Sequence, residues 1–201
     1  SCLDVFERTK PDYVHHLAAQ AHVPQCEKNP RDAFETNVLG TVNILEAIRV
    51  LREKDKRYDP VIHVCSSGEV YGVVKKENLP ITEYTKLNPS NIYGATKIDA
   101  EFAALGYHSS FGLKTIITRT FSHTGPRSTQ LSADVNFAKQ IAMIEKGKQE
   151  PVISHGNLDS VRTWADVRDA VRAYYKMFSH GRVGEAYNVG GNYVKTIGEM
   201  L

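Results

Sequence analysis

Two hydrophobic periods alternate along the chain. Residues 12–18 (DYVHHLA) form a short β-rich run. In residues 32–54, Phe34, Val38, Val42, Leu45 and Ile48 then fall three or four apart, the spacing of one helix face. Residues 61–66 (VIHVCS) read as a continuous buried strand. Residues 90–112 read as a second long helix, opened by Pro89 and Ser90 and closed by Gly112. A strand is predicted over 114–121, a helix over 135–147 ending at Gly147, and a strand over 150–156. The helix predicted over 165–178 carries Val167, Ala170, Val171, Tyr174 and Met177 on one face, and a last strand spans 185–191. Strands alternating with helices of this length predict an α/β fold, a doubly wound parallel sheet covered on both faces.

The pattern reads as incomplete at both ends. Thr196 and Glu199 form a capping box for a helix of which only a few residues follow. Before the first strand stands only part of a helix. A doubly wound dinucleotide fold carries a glycine-rich phosphate loop after its first strand, and the chain contains no GxGxxG or GxxGxxG.

Composition narrows the function classes. The chain has 201 residues, 41% of them hydrophobic, and a formal net charge of +2. No long block of one sign appears, which argues against nucleic acid or an anionic membrane as a partner. No apolar run reaches the ~18 residues of a membrane span. Three widely spaced cysteines, Cys2, Cys26 and Cys65, offer no metal-ligand spacing and fit a reducing cytoplasm. No metal site is expected.

Two stretches carry candidate chemistry. YxxxK occurs twice, as Tyr71/Lys75 and Tyr93/Lys97. Tyr71 runs into Gly72, a turn leaving a strand, so its lysine shares no helix face with it. Tyr93 lies in the first turn of a helix, where Lys97 is on the same face. An ammonium beside a phenol favours the phenolate, a general base for a sugar hydroxyl. The second stretch is HVCSSGEVYG (63–72), where a buried strand ends in Ser66, Ser67 and Glu69. Ligands of open parallel sheets bind beyond such strand ends. Ser66 reads as a turn serine. His15, His16 and His63 read as strand residues, Gly40 as helix packing, Trp164 as core, and Arg127 and Arg168 as surface charges. Asn37 reads equally as functional or as a structural hydrogen-bonding group.

Taken together, SSGEVYG and YGATK resemble the Ser/Thr–Tyr–Lys active site of the extended short-chain dehydrogenase/reductase superfamily. HHLAAQAHV (15–23), NVLGTVNILEAIR (37–49), RTFSHTGPR (119–127) and GNLDSVRTWADVRDAV (156–171) agree in order and spacing. HTGPR and GNLDSVR are most similar to GDP-mannose 4,6-dehydratases and GDP-4-keto-6-deoxymannose reductases. The resemblance implies the remainder of an NAD(P)-binding Rossmann domain over 1–121. It further implies substrate-binding segments over 122–201, interleaved with the returning helix (165–178) and strand (185–191).

By the same resemblance, Tyr93 is the catalytic phenolate, and Lys97 is its activator and a ribose ligand. Ser67 is the hydroxyl on the sugar 4-oxygen, and Glu69 is the dehydratase carboxylate. Leu17, Ala18 and His123 line the NAD or NADP cofactor. Ser122 contacts the sugar nucleotide, and Arg162 pairs with its diphosphate. The implied reaction is 4,6-dehydration of a nucleotide hexose, with GDP as the expected nucleotide. The alternatives are a 4-ketoreductase or epimerase of the same superfamily, or a non-catalytic or truncated fold relative. Pairing through helices 32–54 and 90–112 implies a homodimer or homotetramer. Three positions depart from the family pattern. Ser122 stands where asparagine is common, Thr163 where aspartate often follows the arginine, and STQLSAD (128–134) lacks a second arginine.

Overall fold

The computed structural model describes residues 1–128 and 131–201. In chain order its elements are α1 (Cys2–Thr9), β1 (Tyr13–His16), α2 (Val23–Lys28), α3 (Pro30–Phe34), α4 (Gly40–Lys54), β2 (Val61–Ser67), α5 (Ile92–Phe111) and β3 (Lys114–Thr120). There follow β4 (His123–Thr124), α6 (Ala133–Glu145), β5 (Val161–Asp166), α7 (Val167–His180), β6 (Ala186–Val189), β7 (Tyr193–Thr196) and α8 (Ile197–Met200). The chain divides into two compact units: Ser1–Thr120 with Arg172–Val189, and Phe121–Val171 with Gly190–Leu201.

The first unit is built on a four-stranded sheet in the order β1-β2-β3-β6, parallel throughout. Because side chains alternate across a strand, Val14, Ile62, Val64 and Ile117 point to one face. There they pack with Leu45, Ile48 and Leu51 of α4 and Ala104 of α5 in one apolar core. The other face is covered by the end of α7. Phe178 stacks on Tyr13 and His15, and Tyr174 on His63. Helices on both faces of a parallel sheet make the unit Rossmann-like, as the alternation predicts.

Several boundaries shift. The long helix predicted over 32–54 is one helical run interrupted by a π-helical turn, Glu35–Leu39. The extra residue in that turn brings the amide of Asn37 inward, where it is buried. α5 is capped by Asn91 rather than Ser90. Its end is as expected: Gly112 adopts the left-handed conformation (φ 66°) and returns its N–H to His108.

The second unit holds a three-stranded sheet in the order β4-β5-β7, with β5 parallel to β4 and antiparallel to β7. The strand predicted over 150–156 does not form. Its apolar run is short and pairs with no neighbour, and Val152 is 64% exposed. The strand lies instead at Val161–Asp166, where β4 and β7 both satisfy its backbone. Among the described residues, no helix is long and apolar enough to cross a membrane.

Two buried histidines make the first unit acid-sensitive. His63 is hydrogen-bonded to Thr118 Oγ1 at 2.8 Å, and His16 to Thr41 Oγ1 at 3.0 Å. Burial, with Lys97 nearby, pushes His16 down to about 4; burial, with the neighbouring histidines and Lys97, pushes His63 down to about 3. In the unfolded chain each binds its proton near ~6.5. Between those values the unfolded chain holds more protons, so stability is full above that range and falls as pH drops through it. For His16 the loss is at most on the order of 3 kcal/mol. Urea unfolding at about pH 4.5 is expected to show a clearly lower midpoint than at about pH 7.5. His16→Gln should shrink that gap, and a gap that stays constant would contradict the assignment.

Candidate active site

The site is built where β2 runs out. Ser67 ends the strand and caps the following 3-10 turn, Gly68–Tyr71, its Oγ accepting from the Glu69 N–H at 3.2 Å. Gly72 then takes φ 60°, and a side chain there would meet the Asn88 carbonyl oxygen at 2.0 Å. Only glycine allows the chain to turn so close to that backbone. As expected, Tyr71 and Lys75 share no helix face.

α5 begins against this turn. Asn91 Oδ1 accepts from the Gly94 N–H at 2.8 Å, an N-cap, while Asn91 Nδ2 donates to Glu69 Oε2 at 2.8 Å. One amide thus caps the helix that carries Tyr93 and holds the carboxylate of Glu69. Gly94 makes the contact close: a Cβ there would lie 2.6 Å from the Glu69 carbonyl oxygen. Half-buried Tyr93 thereby sits beside Ser67, whose hydroxyl is its hydrogen-bonding partner. One turn on, Lys97 is 5% exposed, its Nζ 6.0 Å from the centre of the Tyr93 ring. The four residues expected to carry the chemistry come together in the first unit.

The electrostatics correct one expectation. Burial pushes the Tyr93 phenol up to about 12, the negative charge of Glu69 acts in the same direction, and the Ser67 hydrogen bond opposes them. Burial also holds Lys97 below its ordinary value. The neutral phenol is thus favoured over the phenolate, where an ammonium four residues on predicts the reverse. The Lys97 ammonium has no carboxylate or carbonyl partner among the described residues, which leaves its donors for a ligand's hydroxyl groups.

Leu17 and Ala18 are exposed just past the carboxyl end of β1. The loop they open is pinned by Asn37, which accepts from the Gln20 N–H at 2.7 Å and donates to the Gln20 carbonyl at 3.1 Å. Asn37 also donates to Thr96 Oγ1 on α5 at 2.9 Å, tying that loop to the Tyr93 helix. Its role is thus structural hydrogen bonding that serves the site.

The second unit holds the other candidates. Ser122 is exposed and accepts a backbone bond from Ala165 at 3.1 Å. His123 stands on β4 opposite Ala165, with its ring exposed. Arg162 on β5 lines a pocket of about 560 Å³ with Asn136, Phe137, His155, Asn157 and Ile197. Arg168 pairs with Asp166 at the surface, as expected. Of the STQLSAD segment, Thr129 and Gln130 lie outside the described residues.

Sequence reasoning misses Asn91 and misplaces Ser66. An asparagine one residue before a helical pattern is an N-cap signal, but the adjacent Ser90 offers the same signal and masks it. Ser66 is not a turn residue: it is buried, pairs with Arg119 in the sheet register, and donates to Glu101.

Asn91 can be tested by separating its two roles. Serine keeps the cap but removes the donor to Glu69. Asn91→Ser is expected to keep the parent melting temperature within a few degrees. Any step that uses Glu69 should slow about tenfold, roughly the worth of one hydrogen bond to a charged group. Asn91→Ala should lose about 1 kcal/mol of stability as well. Thermal melts and single-turnover rates check both.

A family model described as GDP-mannose 4,6 dehydratase matches residues 1–201. The chain is 34% identical to a GDP-6-deoxy-D-mannose reductase of Pseudomonas aeruginosa, over 95% of its own length and 61% of the relative's. It is also 34% identical to a dTDP-glucose 4,6-dehydratase of Haemophilus influenzae, over 98% of its length and 58% of that protein's. Among solved structures, RMD from Pseudomonas aeruginosa complexed with NADPH superposes with a TM-score of 0.87 at 34% identity, covering 95% of this chain and 63% of that one. DesIV, a dTDP-glucose 4,6-dehydratase from Streptomyces venezuelae solved with NAD and TYD, gives 0.84 at 27% identity, covering 98% and 58%. The chain thus spans about three fifths of the length of the relatives it matches. By fold, by the arrangement of its site and by a match along its whole length, the chain belongs to the GDP-mannose 4,6 dehydratase family of extended short-chain dehydrogenases/reductases.

Proposed function

We propose that this chain carries the catalytic centre of a sugar-nucleotide 4,6-dehydratase. The observation that carries the reading is Glu69, a carboxylate oriented by Asn91 beside the Ser67–Tyr93 pair. Tyr93 as phenolate takes the 4-hydroxyl proton while hydride leaves C4, and Ser67 donates to the 4-oxygen. The 4-ketone so formed acidifies the C5 proton, which Glu69 removes and passes to the C6 hydroxyl, so that it departs as water. Return of hydride to C6 and of the proton held by Tyr93 to C5 completes the 4-keto-6-deoxy product.

An oxidised nicotinamide, NAD or NADP, supplies the hydride acceptor and a positive charge. Lys97 would hold its ribose hydroxyls, and Leu17 and Ala18 would lie against it. In the second unit we assign His123 to the cofactor and Ser122 and Arg162 to the nucleotide sugar. The guanidinium of Arg162 suits a diphosphate, and the favoured nucleotide is GDP. Cys2, Cys26 and Cys65 are all free thiols, which supports a cytoplasmic setting. Exposed Leu39 and Phe102 support pairing of copies through the α4 and α5 side as a homodimer or homotetramer.

The 34% identity to a reductase favours one second reading, a 4-ketoreductase in which Glu69 is a bystander. Incubation of the complete encoded polypeptide with GDP-mannose and catalytic NADP+ separates the two. A 4-keto-6-deoxy product without net change in cofactor is expected. Stoichiometric oxidation of NADPH on a keto-sugar would overturn the dehydratase.

A further inference from the structure

Beneath the Ser67–Glu69 turn lies an ion pair that the proposed mechanism does not use. Glu101 is 0% exposed and Arg119 7%. Arg119 Nε donates to both Glu101 oxygens at 3.1 Å, and Nη2 to Oε2 at 2.8 Å. A buried pair of this kind is weak evidence for stability, since well-packed apolar residues often serve as well or better. What the pair touches is more informative. On one side, Ser66 Oγ donates to Glu101 Oε1. On the other, Arg119 Nη1 donates to Tyr71 Oη at 3.1 Å and to the Glu83 carbonyl at 2.9 Å. Tyr71, 1% exposed, donates its own proton to Asn188 Oδ1 at 2.8 Å. Ser66 and Tyr71 are the two ends of one short segment, and Ser67 and Glu69 lie between them. The helix supplying Glu101 is also the one that supplies Tyr93 and Lys97, at successive steps of four residues.

We propose that the Glu101–Arg119 pair is a positioning device, which clamps the Ser66–Tyr71 segment at both ends and so fixes Ser67 and Glu69 relative to Tyr93. Charge-assisted bonds at each end make the clamp strong and directional, and a fully satisfied buried network is rigid. Ser66, Tyr71, Glu101 and Arg119 are positioning residues that act through Ser67 and Glu69. The catalytic part of this inference rests on the proposed dehydratase reading; the rigidity of the turn does not.

Removing Glu101 would strand a buried guanidinium, which is strongly destabilising. The test therefore cuts the clamp and leaves the pair intact, with Ser66→Ala/Tyr71→Phe in the complete encoded polypeptide. Two quantities are followed: amide hydrogen exchange of Gly68–Gly72, and kcat and KM on GDP-mannose with catalytic NADP+. Exchange at those amides is expected to accelerate about tenfold or more, with the rest of α5 and β3 unchanged. Loss of positioning should lower kcat by about 10- to 100-fold with KM within about twofold. Restoring Tyr71 alone should recover part of both effects. Unchanged exchange at Gly68–Gly72 would overturn the clamp. Accelerated exchange with parental kcat would overturn its positioning role and leave a purely structural network. If the parent turns over no nucleotide sugar, the dehydratase reading fails, while the exchange measurement still decides the clamp.

Discussion

Replacing Tyr93 with phenylalanine is expected to lower kcat by about 10³-fold while changing KM by no more than about threefold. The substitution removes one oxygen from a side chain whose ring stays packed, so the fold and the Lys97 contact are kept. What disappears is the group that accepts the 4-hydroxyl proton, and positioned acid–base groups contribute roughly 10²- to 10⁴-fold. The phenol of Tyr71 should not make good the loss, because it is buried and donates to Asn188 Oδ1. The pH profile sharpens the expectation. With the phenol pushed up to about 12 by burial, the fraction present as phenolate grows about tenfold per pH unit below that value. Activity should therefore climb with pH through the neutral range, then level off at the pKa of the assembled complex. A plateau well below 12 measures what the bound cofactor adds to the site. Tyr93→Phe should abolish the rising limb along with the rate. A variant that kept parental kcat, or its pH limb, would remove Tyr93 from the chemistry.

Replacing Glu69 with glutamine is expected to divide the reaction in two. Glutamine has the same shape, and its amide oxygen still accepts from Asn91 Nδ2, so the turn is preserved. It cannot take the C5 proton. Oxidation at C4 needs only Ser67, Tyr93 and the hydride acceptor, and should proceed. Elimination across C5–C6 should slow by about 10²- to 10⁴-fold, the usual worth of a general base. In a single turnover with bound cofactor, the near-ultraviolet absorbance of reduced nicotinamide should rise and persist instead of returning to baseline. Full multiple-turnover dehydration by Glu69→Gln would remove Glu69 as the C5 base.

These residues differ in how legible they are in the sequence. Tyr93 and Lys97 can be read because four residues on a helix bring two side chains to one face. Ser67 and Glu69 can be read because an apolar strand ends in them. In both cases the signal is local. Ser66 reads as a turn residue, although period two places it on the face of Val64, which packs against α4 and α5. Its partner Glu101 is 35 residues away, and Arg119 lies on another strand. Such pairing is a property of the assembled layers. The π-turn that buries Asn37 likewise adds one residue to a helical run without visibly changing its apolar period. The strand at 161–166 escapes the pattern for the same kind of reason. Its residues show no clean apolar alternation, Val161 and Arg162 both being exposed, and the hydrogen bonds from β4 and β7 make it a strand. In the other direction, Val152 and Ile153 suggest a strand that no neighbour completes. The lysine four residues after Tyr93 is legible, but the burial that favours the neutral phenol is not.

In the proposed reaction one site oxidises C4, eliminates water across C5–C6 and reduces C6 with the same hydride. GDP-mannose carrying deuterium at C4 tests it most directly, using the complete encoded polypeptide and a catalytic amount of unlabelled NADP+. The expected product is a 4-keto-6-deoxy sugar with the deuterium at C6 and no label accumulating in the cofactor. Deuterium retained at C4, or transferred to the cofactor in stoichiometric amount, would contradict it.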